Sequence, residues 1–423
     1  MCNCAHIVIG LAAVKGMAQN IPMIAQFAIV AATVLAAIWL WRPSLRRSPI
    51  WQAMTTPLAS IIGSGFLVLG PILATDFGGF APLVMGLLCL LAYLFGAAIR
   101  FNITVLGDST LGRRVWVRRL EDVSSWALGF AYFVSVAYYL NLFGAFAFSL
   151  TDFGGGLAAK LTTSALFLLI LGVGWVKGFK QLEAMEYVTV SLKLSIIAGL
   201  LVGLAIYFGS QAAEGQLSFA LPRASGWSAI VLVFGLLVTV QGFETSRYLG
   251  DDYDRETRLA SMKLAQWISS GIYLAYIALL TYALDVQPGA LSETAIVAMM
   301  AVVAPILPLM LVGGALAAQF SAAVADTGGA GGLLAEVSRN RISVRWAYVM
   351  LTVVGLALTW GADVFQIISY ASRAFAVYYA LQAGLAAALA FRGGQPARGA
   401  GFGTLAALGA GIAVFGAAVE GGS

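Results

Sequence analysis

An all-α membrane protein is what the sequence predicts, with about twelve transmembrane helices. Ten of them form two blocks of five that run in opposite directions through the membrane, with one extra helix before the blocks and one after. Three observations predict this. The 423 residues are 61% hydrophobic and only 10% charged, whereas soluble domains are about a quarter charged. Mean hydropathy is +0.90, and the apolar residues fall into runs of about 20, enough to cross ~30 Å of hydrocarbon as a helix. Lastly, Lys and Arg gather in every second loop.

The runs follow in order. The first, 23–41, precedes Arg42, Arg46 and Arg47. Its length reads as a retained helix, with a cleaved signal or a start at Met17 or Met23 as the alternatives. Run 54–75 contains Gly63-Ser64-Gly65 and Gly70-Pro71. Run 80–100 leads into Arg100, Arg113, Arg114, Arg118 and Arg119, and run 123–150 follows. Runs 162–179 and 184–208 flank Lys177 and Lys180. Run 226–249 ends beside Arg247, and Arg255, Arg258 and Lys263 lead into 262–284. Run 295–325 is followed by Arg339, Arg341 and Arg345, then by 343–361 and 363–391. Arg392 and Arg398 precede the last run, 401–419. The intervening loops carry only Lys160 and Arg223 as bases, so the basic loops are cytoplasmic and both termini lie outside. The expected organisation is 1–53 for tail, extra helix and basic linker, and 54–391 for the core, with repeats 54–208 and 226–391. Residues 392–423 supply the final helix and tail. The expected location is the cell (inner) membrane.

Composition also excludes. The single histidine, His6, lies in the N-terminal tail, which removes histidine ligation and histidine catalysis from the membrane interior. Cys2, Cys4 and Cys89 form no disulfide framework, and Cys2-x-Cys4 is a weak metal signal. The net charge of +5 is spread over short loops without interleaved aromatics, so no nucleic-acid partner is expected. With no nucleophile–base pair at recognisable spacing, no enzyme is expected, and no cofactor or metal.

The chemistry concentrates where the helices should be weakest. Glycine is the poorest helix former after proline, yet Gly63, Ser64 and Gly65 fall deep in one apolar run, and Gln241-Gly242-Phe243-Glu244 falls at the matching place in the second block. Interrupted helices at corresponding positions point to a midplane binding site. Opening the helix frees backbone groups that hydrocarbon penalises by several kcal/mol each, which is tolerable only beside a cavity. The N–H groups from Phe66 onward suit an anion such as a carboxylate, and the carbonyls near Ile62 suit an ammonium. A packing seam of small residues is the competing reading, but adjacent glycines do not give its one-turn spacing. Glu244 is an intramembrane carboxylate, a functional candidate by default. It would meet a substrate amine or exchange a proton, or else form a salt bridge with Arg247 that only anchors the helix end. Phe243 is either a gate or core. Tyr138, Tyr139 and Asn141 are candidate cavity walls. Asp326 and Arg373 are further charges within apolar runs, expected to pair with each other or with Glu244.

Ile61-Ile62-Gly63-Ser64-Gly65-Phe66 resembles the first-helix signature of the amino acid–polyamine–organocation (APC) superfamily. Gly242-Phe243-Glu244 with Asp251-Asp252-Tyr253-Asp254-Arg255-Glu256 resembles its sixth helix and cytoplasmic exit. Val190-Ser191-Leu192-Lys193-Leu194, then Gly199, resembles its fifth helix. The sequence departs from the pattern in Phe95-Gly96-Ala97-Ala98-Ile99-Arg100, where an acidic residue is common, and in the extra helix 23–41. The resemblance implies a LeuT-like secondary transporter for amino acids or related small amines, proton-linked or exchange-type. It places the Lys193 ammonium where sodium-coupled relatives hold an ion, with the carbonyls of Ile61-Ile62 and the Ser321 hydroxyl as expected neighbours and Asp326 as a further coupling residue. Simple snorkelling of Lys193 to the interface is the plain alternative. A sodium-coupled member of the same fold, or a transporter-like receptor that binds without moving its ligand, stands as the rival.

Overall fold

The computed structural model describes residues 23–63, 65–107, 114–151, 156–176, 186–249, 253–284 and 292–418. Among these residues the secondary structure is entirely helical. Helix α1 is Met23–Leu40, α2 Pro49–Ile61, α3 Gly65–Phe77, α4 Ala81–Gly107, α5 Val115–Phe148, α6 Gly156–Val176 and α7 Glu186–Ala213. The second half holds α8 Gly226–Gly235, α9 Arg255–Ala283, α10 Ala295–Val303, α11 Leu307–Val337, α12 Val344–Gly361, α13 Val364–Arg392 and α14 Pro396–Phe415. Two 3₁₀ segments, Leu237–Val240 and Phe243–Tyr248, continue α8.

Among the described residues, ten helical runs are long and apolar enough to cross a membrane. One of them, Gly65–Leu106, holds α3 and α4, separated by the 3₁₀ turn Gly78–Phe80. The interrupted stretch from α8 to Tyr248 adds a pass that is too broken to qualify by length. The protein is a multi-pass membrane protein with the expected order of passes. One expectation needs correction: the run 295–325 is not one helix. Val303 ends α10, Ala304 is extended, and α11 starts at Leu307. Pro305 and Pro308 explain the interruption, since proline lacks an N–H and disfavours helical geometry in the residue before it.

Three helices of the first expected block pack on their counterparts in the second. The second helix of block one, α4, packs on its counterpart α9. The third, α5, packs on α11, and the fourth, α6, on α12. A two-fold relation between inverted blocks would produce like-to-like pairing of this kind. Outside the blocks, α14 lies along α13, and α1 lies along α7. The α1–α7 contact is close: Cβ atoms built on Gly199 and Gly203 would meet Thr33 and Ile29 of α1. The Tyr187 hydroxyl donates to the Leu40 carbonyl at the end of α1 (2.6 Å).

Candidate functional site

The two interrupted helices cross at their breaks. Helix α2 carries Pro57 in its last turns and stops at Ile61, and Ile62 leaves helical geometry at φ −86°, ψ 53°. Gly63 is described; Ser64 lies outside the described residues. On the other side α8 stops at Gly235, and after the first 3₁₀ segment Gln241 is extended and Gly242 adopts φ +116°, which a side chain rarely tolerates. The second half of each broken helix packs against the first half of the other. A Cβ on Gly65 would lie 2.7 Å from Thr239 Cα, and a Cβ on Gly242 would lie 2.5 Å from Ser60 Cβ. The glycines therefore act reciprocally: each lets the partner helix approach at its own point of unwinding.

Freed backbone groups need partners, and side chains of neighbouring helices supply several. The Tyr273 hydroxyl of α9 donates to both Ile61 O (3.0 Å) and Thr239 O (2.6 Å), tying the two breaks together. Ser372 of α13 accepts from Val238 N (2.8 Å) and donates to Gly235 O (2.6 Å). Phe66 starts the second half of the first broken helix and packs on Tyr273 and Tyr276, with ring centroids 5.4 and 4.4 Å away. These rings fill the side opposite the basic loops. On the basic side a cavity of about 1000 Å³ opens, lined among others by Thr55, Thr56, Tyr132, Thr245, Arg247 and Gly329.

Glu244 is fully buried at this crossing. Its Oε2 accepts from Gly242 N (3.0 Å) and from the Tyr379 hydroxyl (2.9 Å), while Oε1 has no hydrogen-bond partner among the described residues. Phe243 stacks on Tyr379 at 5.2 Å, and Phe95 stacks on Tyr379 at the same distance. Gln241 Nε2 donates to the Tyr139 hydroxyl (2.9 Å), and Gln241 Oε1, also buried, has no partner. Two acceptor oxygens are thus left open within four residues.

The expected partners of Glu244 are not where the sequence placed them. Arg247 forms an ion pair with Glu121 of α5 and donates to Gln382 Oε1 of α13 (2.7 Å), so it does not anchor Glu244. Arg373 points outward from the bundle and donates through Nε to Ala413 O (2.8 Å), pairing with neither Asp326 nor Glu244. Asp326 is buried within α11 and accepts from the Ser135 hydroxyl of α5. Asn141 donates to Ala137 O and to Thr359 Oγ1 of α12, at 2.8 and 2.9 Å, which makes it a contact between helices. Tyr138 is buried against the Tyr139 ring, with centroids 5.4 Å apart.

Lys193 is 2% exposed and does not snorkel. Its Nζ donates to Ala59 O (2.7 Å), in the last turn before the break. Ser321 accepts from the Thr189 hydroxyl (2.9 Å). Beside Lys193 is a cavity of about 20 Å³, bounded by Ile62, Gly63, Phe66 and Gln319. Gln319 is fully buried, and neither heteroatom of its amide has a partner among the described residues. Tyr273, Tyr379, Ser372 and Gln319 are the residues that sequence reasoning missed. Their one available signal was polarity inside an apolar run, which many membrane-helix residues share.

A family described as APC superfamily transporters matches residues 43–416. The chain belongs to the APC superfamily of transporters. This APC superfamily member is also 41% identical, over 356 residues, to an uncharacterised protein of Aquifex aeolicus (strain VF5). The alignment covers 82% of the present chain and 86% of that protein. The family match begins after α1, so the first helix lies outside the matched region.

Proposed function

We propose that this APC superfamily transporter is a secondary active carrier of amino acids or related small amines in the cell (inner) membrane. It is proton-linked or exchange-type and alternates access around the two broken helices, in the manner of a LeuT-like inverted repeat. The open acceptors at the crossing carry this reading. Gln241 Oε1 and Glu244 Oε1 are buried without donors, and an unsatisfied buried acceptor costs about 1–3 kcal/mol. An ammonium brings up to three donors and a positive charge, which suits such open acceptors. A proton on Glu244 satisfies one of them, which joins substrate and proton at a single residue. Lys193 supports sodium-independent operation, because its ammonium supplies a fixed positive charge on Ala59 O beside the break.

The test is a thermal-shift screen of the purified protein against amino acids, their deaminated carboxylic-acid analogues and simple amines. Uptake of hits into proteoliposomes then follows, with and without a pH gradient. Stabilisation by amine-bearing compounds but not by deaminated ones is expected, and Glu244→Gln should weaken it. Binding that ignores the amine, or uptake that requires sodium, would overturn the corresponding half of the proposal.

A further inference from the structure

Among the described residues, Arg373 is the one charged residue lining an outward-facing groove of about 400 Å³ between α5, α12, α13 and α14. Phe130, Val134, Val354, Leu358 and Val377 give the groove apolar walls. From the Val364 end of α13, Arg373 is nine residues in, or about 14 Å along the axis. Helical side chains lean toward the N-terminus, which for α13 is the face opposite the basic loops. The contact with Ala413 agrees, because that residue lies two positions before the end of α14 on the same face. Gly416 leaves room for the arginine stem, since a Cβ there would stand 3.2 Å from Arg373 Cγ. Among the described residues the guanidinium is held by Nε alone, and its two terminal nitrogens have no acceptor there. Below it the groove runs toward the bilayer centre past Val377, one turn deeper.

We propose that this groove binds an anionic phospholipid of the leaflet opposite the basic loops, with the phosphate on the Arg373 fork and an acyl chain along the Phe130–Val354 walls. The fork geometry of a guanidinium matches two phosphate oxygens, and a fixed Arg in contact with lipid is costly without such a partner. The net charge of the headgroup follows from the lining. Among the described residues the groove holds no carboxylate to meet a choline or ethanolamine ammonium, so a headgroup carrying one net negative charge is the one that balances Arg373. Tyr370, one turn nearer the membrane surface, adds a hydroxyl beside the headgroup.

The experiment is native mass spectrometry of the full chain, delipidated in detergent and titrated with dioleoyl phosphatidylglycerol or dioleoyl phosphatidylcholine. The wild type should retain phosphatidylglycerol about tenfold better, from one charge-assisted bidentate contact. Arg373→Leu should abolish that preference, and Arg373→Lys, which keeps the charge but loses the fork, should retain part of it. Val377→Trp fills the groove while leaving the guanidinium in place and should weaken retention of both lipids. Equal retention of the two lipids by the wild type would overturn the proposal and leave Arg373 as a cap on the end of α14. So would an Arg373→Leu protein that keeps the preference. If Arg373→Leu fails to fold, Arg373→Lys and Val377→Trp decide the matter on the same readout.

Discussion

Replacing Tyr273 by Phe removes one oxygen and nothing else, which isolates the link between the two breaks. The ring keeps its edge contact with Phe66, so no cavity opens. What is lost is a hydroxyl shared by Ile61 O and Thr239 O. Both carbonyls are buried, and each stranded acceptor costs about 1–3 kcal/mol. Because a single proton serves the two, the expected loss is about 2–4 kcal/mol. At roughly 2 °C per kcal/mol for a large domain, thermal unfolding in detergent should fall by about 4–8 °C. Tyr276→Phe provides the comparison. Its hydroxyl reaches only Leu67 O, at 3.4 Å, beyond the usual hydrogen-bond range, so its loss should stay below about 1 kcal/mol. Equal melting temperatures for wild type and Tyr273→Phe, or a larger drop in Tyr276→Phe, would refute the idea that one hydroxyl holds the crossing together.

Gly65→Ala should destabilise by about 1–3 kcal/mol through overpacking, because its Cβ would meet the backbone of Thr239. Gly242→Ala adds an unfavourable φ to a similar clash and should lower the melting temperature further; the two variants are ranked by the same thermal assay. Gln319→Leu should be neutral or stabilising by about 1–2 kcal/mol, since it removes an amide with no partner. A marked loss of stability would instead reveal a buried water in the cavity beside Lys193. Lys193→Ala should impair pH-driven accumulation in proteoliposomes more than it lowers the melting temperature, and the reverse ranking would assign Lys193 to folding alone. Glu121→Ala should lower stability by about 1–2 kcal/mol, reduced from the cost of a fully buried pair because both side chains are partly exposed.

Hydropathy and glycine placement read the frame of this protein well. Helices α12 and α13 match the expected 343–361 and 363–391 almost residue for residue, because the turn at Asp363 is marked by a capping box with Gln366. The first break was visible because adjacent glycines have no other use deep in an apolar run. The split between α10 and α11 was missed although Pro305 and Pro308 mark it, since the surrounding residues stay apolar and hydropathy does not register backbone geometry. The partners at the site were not legible for a different reason. Glu121 lies 126 residues from Arg247, and Tyr379 lies 135 from Glu244. Only the packing of the two blocks brings such residues together, and local periodicity carries no record of it. Lys193 is buried and donates to Ala59 O, which is open because α2 stops at Ile61 and leaves its last carbonyls without helical donors.

The contact between α1 and α7 has a bearing on where this transporter properly begins. The family match starts at residue 43, but Gly199 and Gly203 of α7 form a trough already occupied by Thr33 and Ile29. A chain cut at that boundary would keep every residue of the crossing and still present lipid with an unfilled furrow along one flank. Small residues spaced by a turn are what transmembrane helices use to associate, so that furrow would become a sticky surface for a second copy or a stray helix. The leading helix therefore works as a built-in cover, and it rides with α7 through the Tyr187–Leu40 latch.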